Sequence, residues 1–178
     1  MVKSGVAEVE DRLRYILSLV NEWLKFAEAK NGALLAVDSA MIFGVFKLSE
    51  SGWPHVGLFY LTISVLIASA VSCLISFIPK LKMPTFTMKR EPDSGDSLIY
   101  YGHIAKYNPE NYLKALYGQA DTGSVSPSSL EVDYAKQIVT NSRIALRKYF
   151  CFTVALWFAV GALTLLLIAS LCLATSAS

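Results

Sequence analysis

The sequence predicts an all-α membrane protein in which three transmembrane helices carry a small cytoplasmic helical stalk or head. Three observations predict this class. The 178 residues are 54% hydrophobic and 17% charged, whereas soluble domains are about 25% charged. The apolar residues are concentrated in three blocks. A mean hydropathy of +0.45 excludes intrinsic disorder and disfavours a purely soluble globule.

The first predicted element is a cytoplasmic amphipathic helix over residues 1–31. Its apolar side chains recur at alternating steps of three and four, the spacing of one helix face or a coiled-coil seam: Val6, Val9, Leu13, Ile16, Val20, Trp23 and Ala27. Because nothing between Val6 and Phe46 forces a break, we expect this helix to continue into the first span. The charged start predicts no cleavable signal peptide.

Three segments are predicted to cross the membrane. Residues 56–79 and 151–174 contain no charge over 24 residues each, and a bilayer core takes about 20 apolar residues as helix. Residues 32–47 are predicted as the first span. The fifteen residues from Gly32 to Phe46 rise only about 22 Å as a helix, however, which is less than the roughly 30 Å thickness of a bilayer core. Asp38 lies near its middle, where insertion of a carboxylate costs about 2.5–3.5 kcal/mol. Residues 48–55 are then an external loop.

The basic residues predict the orientation. If the N-terminus is cytoplasmic, fifteen of the sixteen Lys and Arg residues lie on the inner side, and only Lys47, at the outer end of the first span, lies on the external side. An excess of basic residues marks the cytoplasmic side of spans. The sequence therefore predicts a multi-pass inner-membrane protein, in contact with membrane lipid, whose polar residues are mostly cytoplasmic.

The second cytoplasmic region covers residues 80–150. Asn108 and Pro109 are typical of a helix start, and Gly118 of a helix end. A helix resumes near Leu130 and meets the third span without a breaker, so we expect it to enter the membrane unbroken. The segment from Ser97 to Tyr107 is ambiguous between helix and strand.

Small residues recur every four positions on two of the spans. They are Gly32, Ala36, Ala40 and Gly44 on the first, and Ser64, Ala68, Ser72 and Ser76 on the second. Such stripes let helix backbones approach closely in lipid, either within one chain or between the chains of a homo-oligomer. No intramembrane Lys, Arg or His is available to pair with Asp38. This residue is therefore protonated, lies near a span end, or lines a hydrated path between protomers.

Several protein classes are excluded or disfavoured. A net charge of +2 disfavours nucleic acid as a partner. The three cysteines have no metal-ligand spacing, and the sequence has no Walker A loop, HExxH, GxSxG or dinucleotide-binding pattern. We therefore expect no catalytic residue, no metal and no cofactor. The protein is predicted not to be an enzyme.

The sequence favours small-molecule binding over catalysis, and the residues suited to it lie in the second cytoplasmic region. Aromatic rings and basic groups are close together there, and they can stack on a base and contact a phosphate: Tyr100, Tyr101, His103, Lys106 and Tyr107. The alternative is that the tyrosines pack against the stalk and Lys106 is solvated. Arg143, Arg147 and Lys148 precede the third span, where basic residues also serve as interfacial anchors.

Three stretches carry a resemblance to a known family: FAEAKNGALLAVDSA, LIYYGHIAKYNPENYLKAL and DYAKQIVTNSRIALRKYFCF. Their order and spacing resemble the Pycsar transmembrane effectors (PycTM), bacterial antiphage proteins, over nearly the whole chain. The resemblance implies a nucleotide-sensing role for residues 80–150. It implies activation by a cyclic pyrimidine mononucleotide, cCMP or cUMP, made by a uridylate or cytidylate cyclase after infection. Impairment of the inner membrane, and thus abortive infection, would follow.

Given this resemblance, we predict five nucleotide contacts, which are His103, Lys106, Tyr107, Arg143 and Arg147. On the first span, Gly32, Ala36, Ala40, Gly44 and Asp38 are predicted to form a packing face or line a pore. One alternative function is a non-catalytic membrane scaffold or signalling subunit, whose helix-one seam captures a partner helix. Another is a small oligomeric ion channel with a path built from Asp38.

Overall fold

The structure is a computed structural model that describes residues 2–50, 53, 56–78, 91–93, 95–119 and 127–176. These residues form five helices and contain no strand: α1 (Val2–Glu50), α2 (Val56–Phe77), α3 (Tyr101–Ile104), α4 (Pro109–Gln119) and α5 (Ser129–Ser176). The all-α prediction is therefore confirmed. Half of the predicted external loop (residues 51, 52, 54 and 55), the basic residues from Lys80 to Arg90 and the loop before Pro127 lie outside the described residues.

Two helices are long and uninterrupted, as the absence of breakers predicts. Helix α1 has 49 residues and passes through Gly32, while α5 has 48. Helix α1 also includes residues 48–50 of the predicted external loop. The first apolar block alone is too short to cross a bilayer core, but residues on both sides of it extend the same helix, so α1 is long enough to cross. Helices α1, α2 and α5 are each long and apolar enough to cross a membrane.

Helix α4 begins at the position that the turn chemistry predicts. Asn108 Oδ1 accepts the Asn111 N–H at 2.7 Å, and Pro109 begins α4. Helix α5 starts with a capping box that the sequence analysis missed. Glu131 accepts the Ser128 N–H at 2.6 Å, and Ser128 Oγ accepts the Glu131 N–H at 3.3 Å. The ambiguous segment before Tyr107 forms the single turn of α3.

The chain divides into two compact units. The first, which we call the head unit, comprises the described residues of Met1–Ala27 and Leu81–Arg147. Its core packs the apolar seam of α1 against apolar residues of α3, α4 and α5. The central members are Val9, Leu13, Ile16, Val20, Ile104, Tyr112, Leu113, Leu116, Ala135, Ile138 and Val139. The predicted seam therefore packs within the chain's own core.

The second unit, which we call the membrane unit, comprises the described residues of Glu28–Lys80 and Lys148–Ser178. Small and polar residues occupy much of its interior. The buried residues are Asn31, Leu34, Asp38 and Val45 on α1, Thr62, Leu66, Ser69, Cys73 and Ser76 on α2, and Lys148, Ala155, Ala159, Ala162 and Ala169 on α5. The alanines allow close helix approach, which stabilises helix pairs in lipid.

Candidate ligand-binding site of the head unit

The predicted nucleotide contacts lie on two elements, and Arg143 joins these elements. His103 is in α3, Lys106 and Tyr107 follow α3, and Arg143 is in α5. Arg143 Nε donates to the Ala105 carbonyl at 3.1 Å, and its Nη2 donates to the Tyr107 carbonyl at 2.7 Å. The guanidinium thus fixes the end of the α3 turn on α5.

The Lys106 ammonium is paired with a carboxylate that the sequence analysis missed. Lys106 Nζ lies 2.5 Å from Asp96 Oδ1, and the two side chains are 16% and 4% exposed. Asp96 Oδ2 accepts the Asp93 N–H at 2.9 Å. Burial raises the pKa of Asp96. The hydrogen bond and charge of Lys106, together with the Asp93 N–H, lower it by a larger amount, so the pKa of Asp96 lies below its usual value. Lys106 is therefore largely shielded from solvent, and Asp96 supplies its counter-charge.

His103 is held as a hydrogen-bond acceptor through one ring nitrogen. Its Nδ1 accepts the Ser97 N–H at 2.9 Å and lies 3.7 Å from Asp96 Oδ1. An Nδ1 that accepts a backbone N–H carries no proton, so the neutral ring has its proton on Nε2. With its side chain 38% exposed, His103 keeps Nε2–H as a donor for a ligand.

Three aromatic rings accompany this turn. The Trp23 and Tyr101 ring centroids are 5.5 Å apart, and those of Tyr100 and Tyr101 are 4.7 Å apart. Tyr101 is buried, whereas Tyr100 is 42% exposed. A Cβ on Gly102 would lie 2.6 Å from Tyr100 Cε1, so glycine lets the Tyr100 ring lie against the backbone. Tyr100 is therefore the ring that remains available for stacking on a base.

Tyr107 is a core residue whose carbonyl, and not its ring, contacts Arg143. Its side chain belongs to the head core and is 7% exposed. Burial, with the nearby Asp96 charge, raises the pKa of Tyr107 above its ordinary value. Tyr112 is also buried, and its hydroxyl donates to the Leu98 carbonyl at 2.7 Å. Burial likewise raises the pKa of Tyr112. Neither phenol is ionised at neutral pH.

Arg143 differs from Lys106 in the charge of its partners. Its two acceptors are neutral carbonyls, and within the described part of the chain no carboxylate forms an ion pair with it. A guanidinium has five N–H donors, of which these bonds use two. Arg147 lies one turn later on α5 and is half-buried. Arg143 therefore combines a fixed position, spare donors and an uncompensated charge.

In the membrane unit, Asp38 is fully buried and the predicted small-residue stripe of α1 is not. Ser69 Oγ lies 2.7 Å from Asp38 Oδ2. Gly32, Ala36, Ala40 and Gly44 are exposed, and nothing lies within 4 Å of a Cβ added at Gly32 or Gly44. The reading in which this stripe packs against α2 within one chain is therefore wrong. The helix turns its opposite face, with Asp38, toward its neighbours.

Lys148 is also buried. Its Nζ donates to the Ser76 carbonyl at 2.9 Å and lies 3.2 Å from Glu28 Oε1. Asn31 Nδ2 donates to the Lys148 carbonyl at 3.1 Å. The ammonium thus satisfies a carbonyl in the last turn of α2, where a cation also interacts favourably with the helix dipole. This basic residue ties three helices together and is more than an interfacial anchor.

These helices define the class: an all-helical, multi-pass membrane protein with a folded helical head. The family model described as the Pycsar effector protein domain, PycTM, matches residues 12–175. The chain belongs to this family.

Two relatives support this assignment. The chain is 31% identical over 142 residues to the Pycsar effector protein PtPycTM of Propioniciclava tarda, covering 75% of this chain and 65% of the relative. It is 32% identical over 137 residues to the Pycsar effector protein RsPycTM of a Rhizobium species, covering 72% of this chain and 75% of the relative. The match thus spans slightly less than two thirds of the first relative. No solved structure matches the chain.

Proposed function

We propose that this protein is an antiphage defence effector of a Pycsar-type system. Its head unit binds a cyclic pyrimidine mononucleotide, cCMP or cUMP, and the protein then impairs the inner membrane, which causes abortive infection. It catalyses no reaction. Membership of the PycTM family and three helices that can cross a membrane support this proposal.

The observation that carries the proposal is the position of Arg143. Its two backbone bonds hold the end of the α3 turn, and its spare donors can contact an anionic phosphate bidentately. Lys106 already has Asp96 as its counter-ion, so Arg143 supplies the attraction for a cyclic phosphate. His103 Nε2–H donates to a pyrimidine carbonyl or a phosphate oxygen, and Tyr100 stacks on the base.

The same contacts suggest how binding is coupled to the membrane. Arg143 is part of α5, which continues without interruption to Ser176, and α1 likewise continues to Glu50. A ligand shifts a conformational equilibrium only by its difference in affinity for the two states. A shift from 1:99 to 99:1 takes about 5.5 kcal/mol, which several sites in a homo-oligomer can supply together.

The proposal includes the predicted topology and partners. Residues 1–31 and 80–150 are cytoplasmic, residues 32–47, 56–79 and 151–174 cross the inner membrane, and residues 48–55 are external. A uridylate or cytidylate cyclase supplies the ligand.

The scaffold and channel alternatives have less support. The α1 seam that would capture a partner helix is 0–2% exposed at Val9, Leu13, Ile16 and Val20 because it packs in the head core. Asp38, which would line a channel, is buried within the membrane unit.

Calorimetric titration of cCMP, cUMP, cAMP and cGMP into detergent-purified protein tests the proposal. We expect binding of one or both pyrimidine nucleotides, and an affinity loss of about tenfold or more in Arg143→Ala, since a charge-assisted hydrogen bond contributes roughly 1.5–3 kcal/mol. Arg143→Lys keeps the positive charge but cannot make two parallel hydrogen bonds, so its affinity should lie between those of wild type and Arg143→Ala. Lys136→Ala is the matched control, because Lys136 is an exposed α5 cation paired with Asp133.

Two results would contradict the proposal. A folded wild-type protein that binds neither pyrimidine nucleotide would remove the proposed ligand. Unchanged affinity after alanine substitution at His103, Lys106, Tyr107, Arg143 and Arg147 would remove the site. A circular dichroism spectrum of each variant shows whether a loss of binding reflects misfolding.

A further inference from the structure

One serine hydroxyl connects all three helices of the membrane unit. Ser69 Oγ on α2 lies 2.7 Å from Asp38 Oδ2 on α1 and 2.9 Å from the Ala155 carbonyl oxygen on α5. All three residues are fully buried. The three helices therefore meet at a small polar cluster, which we call the Asp38–Ser69 clasp.

The number of protons at the clasp constrains its chemistry. A serine hydroxyl has one proton to donate and lone pairs with which to accept. The Ala155 carbonyl can only accept, so a hydrogen bond to it uses the single Ser69 proton. The 2.7 Å contact with Asp38 is then a full two-centre hydrogen bond only if Asp38 donates, since a single proton shared by two acceptors bonds each of them more weakly. An Asp38 carboxyl that carries a proton satisfies both contacts at once.

The surroundings of Asp38 also favour a neutral carboxyl. Its second oxygen, Oδ1, is buried without a hydrogen-bond partner. Across the described residues, no Lys, Arg or His forms an ion pair with it. The titratable group that interacts with Asp38 from α2 is the buried Cys73 thiol, which supplies no positive charge. A carboxylate here would have one hydroxyl as its entire solvation, which is far less than a buried charge requires.

We propose that Asp38 is a proton-binding site of the resting membrane unit. Its carboxyl is a neutral acid that donates to Ser69 Oγ, and Ser69 donates to the Ala155 carbonyl. With this proton in place, the two hydrogen bonds link α1 to α2 and α2 to α5. If the proton is lost, the carboxylate takes the Ser69 proton, the Ala155 contact is lost, and the charge requires water or a cation. Deprotonation therefore loosens the packing of the three helices, whether or not a nucleotide is the physiological signal.

Infrared spectroscopy of the full chain in lipid vesicles at neutral pH tests the protonation state. The difference spectrum between wild type and Asp38→Asn should contain the C=O stretch of one protonated carboxylic acid, present only in wild type. If carboxylate bands are lost instead, Asp38 is ionised and the proposal is wrong. No nucleotide is added, so the result is independent of the proposed function.

Matched variants test the clasp by the thermal midpoint of the membrane unit, followed by circular dichroism in detergent. Asp38→Asn has an amide that donates to Ser69 as the acid does, so it should keep a midpoint near wild type. Asp38→Ala and Ser69→Ala should lower it. Ser64→Ala is the control, because Ser64 is an exposed α2 serine that donates only to its own helix, at Tyr60.

Two outcomes would overturn the clasp. One is an Asp38→Asn protein as unstable as Asp38→Ala, since a neutral donor would then fail to replace the acid. The other is a Ser69→Ala protein as stable as Ser64→Ala, since Ser69 would then join nothing. If Asp38→Ala fails to fold, the comparison of Ser69→Ala with Ser64→Ala and the infrared spectrum still decide the question.

Discussion

The head unit and the membrane unit share helices α1 and α5 but are packed with different side chains. Where α5 belongs to the head, large residues of other helices, such as Leu13, Ile16 and Tyr112, pack in the same core. The buried α5 positions there are Glu131, Ala135, Ile138, Val139, Ser142 and Ala145. In the membrane unit, the buried α5 positions are Lys148, Ala155, Ala159, Ala162 and Ala169. The buried face of α5 thus includes the β-branched Ile138 and Val139 in the head, whereas all its buried apolar residues in the membrane unit are alanines.

The solvent explains this difference. In water, burial of apolar surface drives packing, so large side chains contribute most. Lipid tails are as apolar as leucine, so helices associate there through close backbone approach and hydrogen bonds. The buried carboxyls differ as well. Asp96 in the head has a lysine partner, whereas Asp38 has a serine hydroxyl.

The largest effect is expected from truncating the head core. Ile16→Ala should destabilise the head by about 2–5 kcal/mol, because it removes a fully buried side chain and leaves a cavity. Chemical unfolding in detergent, followed by circular dichroism, measures this loss. Tyr15→Ala is the control, since Tyr15 is the neighbouring residue and 64% exposed. Equal losses in the two variants would show that the α1 seam does not form the core.

The reverse substitution should be costly in the membrane unit. Ala162→Leu should destabilise it by about 1–3 kcal/mol, because a larger side chain at this fully buried position forces the helices apart. The thermal midpoint in detergent measures the effect. Leu163→Ala, at the adjacent exposed position, should change little. A stabilised Ala162→Leu protein would mean that both units follow the packing rule of the head.

A smaller, pH-dependent effect is expected for Asp96. Because the folded-state pKa of Asp96 is lowered, its stabilisation is present above the unfolded value of about 3.9 and is lost as the pH falls through the folded value. Asp96→Asn should therefore be less stable than wild type at neutral pH, by about 1–2 kcal/mol, and the difference should shrink below about pH 4.

Urea unfolding midpoints in detergent at neutral and acidic pH measure the Asp96 effect. Asp133→Asn is the control, because Asp133 is 66% exposed in its pair with Lys136. An Asp96→Asn deficit that stays constant at acidic pH would show that the carboxylate charge does not stabilise the head.

Much of the fold was predictable because it depends on local sequence. The three–four spacing from Val9 to Val20 identified the α1 core face, and the absence of breakers identified both long helices. Of the two readings of the stripe with Gly32 and Gly44, packing within one chain is wrong and packing between chains stays a prediction, because a small-residue stripe shows that close approach is possible but not with which partner. Alanine is common in helices, so Ala155 and Ala162 gave no signal.

The site was less predictable because its contacts are not periodic. Lys106, His103 and Arg143 were singled out by residue type, but their partners were missed. Asp96 lies ten residues from Lys106, and Arg143 binds backbone carbonyls, which no sequence pattern reveals. Ser69 was missed for the same reason. By contrast, the capping pair Ser128 and Glu131 had a readable S-x-x-E spacing.

The Trp23–Tyr101 contact has a practical consequence. The protein has three tryptophans: Trp23 belongs to the head unit, whereas Trp53 and Trp157 belong to the membrane unit. Replacing the last two with phenylalanine leaves Trp23 as the single tryptophan, which can be excited selectively over tyrosine, 5.5 Å from a ring in α3. Its emission spectrum and quenching would then report the rearrangement of the α3 turn directly, in real time and without an attached dye.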